Sequence, residues 1–190
     1  MLSRWPWTLI LAGICATPMV LQAQAIGDLS LAHGTLAFDA KATLGAFTGV
    51  TTTMTGKLTG ASSLSGVHGW VEAPAKSLNT SNDHRDRDMA GSLEIEKYAT
   101  IRFDLDSVSP GSASGDSVAV TLKGHFTLHG QTRPASIPGF VWLTATSARF
   151  HGALPISVKD YGVGGLSKML GILKMNEMIT VRMDVTFGEK

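Results

Sequence analysis

Over long stretches of this chain apolar side chains occupy every second position, a period that belongs to an extended strand with one dry side and not to a helix. Val118, Val120, Leu122, Phe126 and Leu128 alternate, with Gly124 in the same register, against Ala119, Thr121, Lys123, His125, Thr127 and His129. Ile101, Phe103 and Leu105 stand opposite Arg102, Asp104 and Asp106. Ile179, Val181, Met183, Val185 and Phe187 stand opposite Thr180, Arg182, Asp184 and Thr186. Extending this pattern predicts eight strands, at about 29–40, 46–58, 66–76, 99–108, 117–129, 134–145, 148–159 and 177–187. The turn formers between them, Gly60 to Ser65 and Gly111 to Asp116 after Pro110, make short links that favour antiparallel neighbours.

Eight such strands can close on themselves, which removes the sheet edges that invite aggregation. At about eight strands the interior is either just filled by side chains or wide enough for one small ligand. Small residues at Gly69, Ala73, Ala75, Gly124, Gly152 and Ala153 argue for room inside, and a packed core is the alternative. Two segments depart from the strand period. Asn82 to Gly91 begins with capping residues and early carboxylates, as a short helix does. Gly164 to Met175 carries Leu166, Met169, Leu170 and Leu173 at helical offsets, a stripe that would suit a lid over the opening. The predicted fold is therefore all-β, an eight-stranded antiparallel barrel with two short helices.

The first residues read as a cleaved export signal: Arg4, an apolar run from Leu9 to Leu21, then Ala23-Gln24-Ala25 with small residues placed for a signal peptidase. The run is shorter than the roughly 20 residues a membrane span needs and is broken by Pro18, so no stable membrane insertion is expected. This divides the chain into a signal peptide, 1–25, and one domain, 26–190, in the periplasm or outside the cell. Cleavage would remove Cys15, the single cysteine, so the domain must bury a real core instead of relying on disulfides. Loss of Arg4 leaves the basic residues balanced against the 15 acidic ones, which argues against a nucleic-acid partner.

Between the third and fourth predicted strands lies Ser77-Leu78-Asn79-Thr80-Ser81-Asn82-Asp83-His84-Arg85-Asp86-Arg87-Asp88-Met89, dense in turn formers, caps and alternating charge. Ser77-Leu78, Thr80, Asn82, Arg85-Asp86 and Met89, then Ile101 and Phe103, then Leu122, Gly124, Leu128, Gly130, Thr132, Arg133 and Pro134 resemble the YceI-like family in order and spacing. The resemblance runs through roughly residues 35–187. It implies a lipocalin-like periplasmic barrel that binds an isoprenoid or another long-chain amphiphile, with pairing into a homodimer unsurprising. The chain departs from the family where Ser157-Val158-Lys159-Asp160-Tyr161-Gly162 replaces Asn-Arg-x-Asp-Phe-Gly, and where Ala99 replaces the proline after Tyr98.

On this reading the ligand-binding candidates are Ile101, Phe103, Val118, Val120, Leu122, Phe126, Leu128, Phe150, Leu154, Ile179 and Val181, with Leu166, Met169, Leu170 and Leu173 from the stripe. Asn82, Arg85 and Asp86 either meet a head group, a guanidinium matching carboxylate or phosphate, or serve the helix locally. The expected occupant is one long-chain apolar or amphipathic molecule, with no other cofactor.

Catalysis is not expected. There is no Gly-x-Ser-x-Gly turn and no mature cysteine, and Asp104 and Asp106 fall on the wet side of their strand. No metal ligands are assigned: His125 and His129 share a strand face in this reading but stand about 13 Å apart at four residues of strand rise. His84, Asp86 and Asp88 spread around a helix. A metal-binding or stress-response barrel is the alternative from another class.

Overall fold

The computed structural model describes residues 28–43, 45–60, 64–165, 167–168 and 173–189. The expected signal segment lies outside them. Strand β1 (Leu29–Ala42) opens the chain, followed by β2 (Gly45–Thr51), β3 (Thr55–Thr59) and β4 (His68–Pro74). Helix α1 (Asp83–Ser92) leads into β5 (Thr100–Ser114), β6 (Ser117–Leu128), β7 (Gln131–Leu143) and β8 (Ser147–Ser157). The two-residue strands β9 (Ser167–Lys168) and β10 (Leu173–Lys174) precede the last long strand, β11 (Met178–Gly188).

In space the order is β11-β8-β7-β6-β5-β4-β3-β1, and β11 pairs back onto β1. The result is a closed barrel of eight antiparallel strands. A ninth, β2, lies along the upper part of β1 from Leu36↔Thr51 to Ala42↔Gly45. The predicted strand 46–58 is thus two strands, bent at 52–54, where the Thr51 hydroxyl accepts from Thr53 N and bonds Ser77 Oγ at 2.7 Å. Beyond the bend β3 joins β4 and reaches β1 only at Leu29 and Ser30. Strand β5 outruns its predicted end at 108. Pro110 sits at one of two register shifts against β6, where its missing N–H interrupts no regular ladder.

Among the described residues of 164–175 the second predicted helix is not formed. Residues 167–168 and 173–174 are extended and pair with each other, and Met175 bridges Ala42. The apolar offsets there suit a helix, but Gly164, Gly165 and Gly171 weaken one that has no Ser, Thr, Asp or Asn cap at its start. Leu166, Met169 and Leu170 lie outside the described residues. No described helix is long and apolar enough to cross a membrane.

Inward residues of all eight barrel strands form one core, including Leu36, Val71, Phe103, Phe126, Ile137, Phe150, Val181 and Phe187. Fully burying a side chain of this size stabilises by about 1.5–3 kcal/mol. Four of the six small residues, Gly69, Gly124, Gly152 and Ala153, do not open the room expected of them. At Gly152 a Cβ would collide with Phe150 Cζ, and at Gly139 it would lie 2.7 Å from Phe150 Cε2 and run into His151 O. Gly124 is closed by Asp104 O and Gly69 by Lys57 O, while Ala153 pairs with Arg182, whose side chain lies on the outer surface. Glycine here lets backbone and aromatic rings approach; the rings then fill the space.

The outer surface carries charge ladders across the strands. Arg182 grips Asp39 with two hydrogen bonds, of 2.6 and 2.9 Å, across the β1–β11 seam that closes the barrel. Arg149 holds Asp184 between β8 and β11 at 2.9 and 2.7 Å. Arg102 joins Glu72 and Asp104 and lies over the Trp70 ring.

Candidate functional site

The barrel interior divides into two unequal parts. The upper part is a cavity of about 730 Å³, open at the end where α1 and the β1–β2 turn meet. The lower part retains about 70 Å³ among Phe103, Leu105, Val120, Phe150, Met183 and Phe187. Ligand sites commonly occupy about 300–1,000 Å³, so the upper cavity has the size of a binding site and the lower does not.

The sequence candidates separate along this division. Ile101, Phe126, Leu128, Ile179 and Val181 line the upper cavity, joined by Asn82 and Arg85 at its rim. Phe103, Val120, Leu122 and Phe150 line the small lower space. Val118 lies farther down β6, paired with Val141, and buried Leu154 stands opposite Val181 without lining either part. Leu173 belongs to β10, and Leu166, Met169 and Leu170, the rest of the predicted apolar lid, lie outside the described residues.

Helix α1 flanks the opening. Asn82, Arg85, Met89 and Leu93 follow one another at three- and four-residue steps, so one side of the helix presents a polar start and an apolar end to the opening. Asn82 caps the helix, its Oδ1 accepting from Arg85 N at 3.0 Å. Residues of β1, β2 and the segments after them complete the wall: Leu36, Phe38, Phe47, Leu78, Val158, Val163 and Met175. These escaped sequence reading, although Leu36, Phe38 and Ala40 keep the strand alternation and Met89 with Leu93 keeps the helical one.

Arg85 and Asp86 divide the roles that the sequence left open between them. Asp86 turns away from the cavity and its Oδ1 accepts from both Thr80 N, at 3.0 Å, and Thr80 Oγ1, at 2.6 Å. The same Thr80 hydroxyl accepts from Arg85 Nε at 2.9 Å, and Thr80 O accepts from Arg85 Nη2 at 3.3 Å. Thr80 is buried, so these bonds form a fixed bracket. The guanidinium is held at the rim, 4.4 Å from the Phe47 ring centroid, with its Nε and Nη2 edge committed to Thr80. His84 and Asp88 pair on the exposed side of the rim at 3.5 Å.

The opposite wall is braced by the β6–β7 hairpin. Its turn places His129 and Gly130 at φ 50° and 68°, so His129 leaves the strand and does not share a face with His125 as alternation suggested. His125 stays outside, 2.9 Å from Asp106. His129 is buried, with Nδ1 3.1 Å from Tyr161 O, its ring against Tyr98, and Nε2 3.3 Å from Glu94 Oε1 without an aligned hydrogen bond. Arg133 donates to Asp160 O at 2.6 Å and Phe126 meets Tyr161 edge to face. Burial pushes the Tyr161 phenol above its ordinary value, with the Arg133 charge opposing. Together these contacts hold the 3₁₀ turn Val158–Tyr161 against the barrel mouth and aim Val158 inward. Arg133, part of the most distinctive motif, therefore braces the wall. Among the described residues no three histidine or acidic side chains gather as metal ligands do.

The arrangement can enclose an apolar chain and leave a polar end at a rim that offers a cation. Comparisons with known proteins agree with the architecture. No curated protein matches the chain in sequence. The crystal structure of Burkholderia cenocepacia BcnA is 15% identical, with 80% of this chain and 95% of that one covered at a TM-score of 0.67. A polyisoprenoid binding domain from Saccharophagus degradans, implicated in plant cell wall breakdown, is 20% identical over 85% and 98% at 0.69. A Campylobacter jejuni YCEI protein is 16% identical over 65% and 72% at 0.52. These three show a shared fold. The YceI-like domain pattern matches residues 28–187, and the chain belongs to the YceI-like family.

Proposed function

We propose that this protein is an exported or periplasmic binding protein, not an enzyme, that holds one long-chain isoprenoid, fatty-acid-like or other amphipathic molecule in the upper cavity and acts as its carrier or store. The observation that carries this reading is the open cavity of about 730 Å³ with apolar walls and Arg85 fixed at its rim. A chain of about ten carbons entering it gains on the order of 8 kcal/mol at about 0.8 kcal/mol per methylene, before ordering costs. That gross gain corresponds to micromolar affinity at best for ten carbons, and each further buried methylene adds to it. The polyisoprenoid-binding character of the Saccharophagus relative supports the same ligand class.

The test is native mass spectrometry of purified residues 26–190, followed by organic extraction. A bound species carrying a hydrocarbon chain is the expected result. Absence of any such species, together with no fluorescence gain from an added hydrophobic dye, refutes the reading.

A further inference from the structure

The arginines of the barrel wall each grip a carboxylate: Arg102 holds Glu72 and Asp104, Arg149 holds Asp184 and Arg182 holds Asp39. Arg85, at the mouth, forms no ion pair among the described residues, although Asp83, Asp86 and Asp88 share its helix. Asp86 is committed to Thr80, and Asp88 stands 3.5 Å from His84. Arg85 is held instead by two neutral acceptors, Thr80 Oγ1 and Thr80 O. A hydroxyl and a carbonyl orient a guanidinium without cancelling its charge. Their two bonds use Nε–H and one hydrogen of Nη2, the side edge of the planar group. The end edge, Nη1 with the second hydrogen of Nη2, makes no hydrogen bond among the described residues. One face of the plane lies over Phe47, 4.4 Å from the ring centroid.

We infer that this end edge is a head-group site and that it selects an acidic amphiphile, a carboxylate or a phosphate monoester, over a neutral one with the same tail; the inference rests on the carrier reading. The end edge presents parallel N–H donors that match two oxygens of either anion. Arg85 and Phe47 both line the upper cavity, so an anion bound there continues directly into a tail inside. Thr80 and Phe47 are positioning residues. An exposed guanidinium on a free stem loses side-chain entropy when it meets an anion and gains little, whereas one already held on its side edge and one face has less to lose. The selection concerns the polar end alone, and either a fatty chain or an isoprenoid chain can carry it.

Dodecanoic acid, dodecyl phosphate and dodecanol share one tail, and their displacement of a fluorescent apolar dye from delipidated residues 26–190, at neutral pH and low salt, tests the site. Both acids are expected to bind at least about tenfold more tightly than the alcohol, and the tighter of the two identifies the head group. Raising the salt to about 1 M, where the Debye length is about 3 Å, should shrink that ratio. Arg85→Gln should bring it to within about twofold of unity, and Thr80→Val, which keeps the charge but loosens its hold, to an intermediate value. Equal affinity for acids and alcohol in the wild-type protein overturns the head-group site and leaves the carrier reading intact. So does an acid preference that survives Arg85→Gln or, should that variant not fold, one that high salt leaves unchanged. No binding of any of the three overturns both.

Discussion

Asp86→Ala is a sharp test of how the rim is built, because the carboxylate looks from sequence like a ligand contact and in the structure is a bracket. Its Oδ1 accepts two hydrogen bonds from Thr80, a residue only 6% exposed. Removing the acceptor leaves a buried N–H and hydroxyl without their partner. A hydrogen bond to a charged group contributes about 1.5–3 kcal/mol, and an unsatisfied buried donor costs about 1–3 kcal/mol. The two bonds share one oxygen and do not add fully, so the expected loss is about 2–4 kcal/mol. For a domain of this size that lowers the thermal midpoint by about 5–15 °C. Asp86→Asn keeps an oxygen in place and should lose less than half as much. Asp83→Ala, exposed in the first helical turn, should lose only the dipole contribution of about 0.3–1 kcal/mol. Urea and thermal unfolding followed by far-ultraviolet circular dichroism would measure all three. If Asp86→Ala unfolds where Asp83→Ala does, the bracket carries no stability; if the asparagine variant is as damaged as alanine, charge and not acceptor geometry is responsible.

Phe126→Asp places a carboxylate at a site 2% exposed with no cation beside it, and should abolish folding or ligand uptake; a folded variant with undiminished uptake in a lipid-binding assay would show that the inward side has been misassigned. The hydrogen bonds from Arg182 hold Asp39 below the ordinary aspartate value of 3.8, as those from Arg149 do for Asp184. Because both folded values are depressed, the stability they confer is complete above 3.8 and is lost as pH falls through the folded values. Midpoints measured between about pH 5 and 2 should therefore fall at the acid end, and Arg182→Gln should flatten that fall; an unchanged slope would remove the seam from the account. Gly124→Ala drives a Cβ into Asp104 O and should cost about 2–3 kcal/mol or prevent folding. In contrast Gly91→Ala, in α1 with nothing within 4 Å, should stabilise by about 0.5–1 kcal/mol. Equal effects of the two in denaturant titrations would contradict the packing described.

Strands with long, unbroken alternation were readable from residues alone, and Ile179 to Phe187 falls wholly within β11. The helix start at Asn82 was readable too, because capping is local chemistry. Volume was not. Whether Gly152 opens a space or receives a ring depends on Phe150 two residues away and on Gly139 across the sheet, and that register is set by the whole barrel. The segment after Gly164 misled for a related reason. Leucines and methionines spaced three and four apart satisfy a helix, yet Met175 finds its partner in Ala42, more than a hundred residues earlier. Likewise Arg133 belongs to a motif legible at sight, but its task became clear only once Asp160 and Tyr161 stood beside it.

The pairing of Ser30 with Gly188 puts the two ends of the domain side by side, about one strand spacing of 5 Å apart. A ribosome therefore releases every other strand before the final one, and the cylinder cannot close until it emerges. The same neighbourhood makes the stretch 28–189 nearly a ring: with the residues before it removed, a short peptide joining 28 and 189 would let a new beginning be cut at the exposed turn between β5 and β6 without disturbing a single rung of the wall.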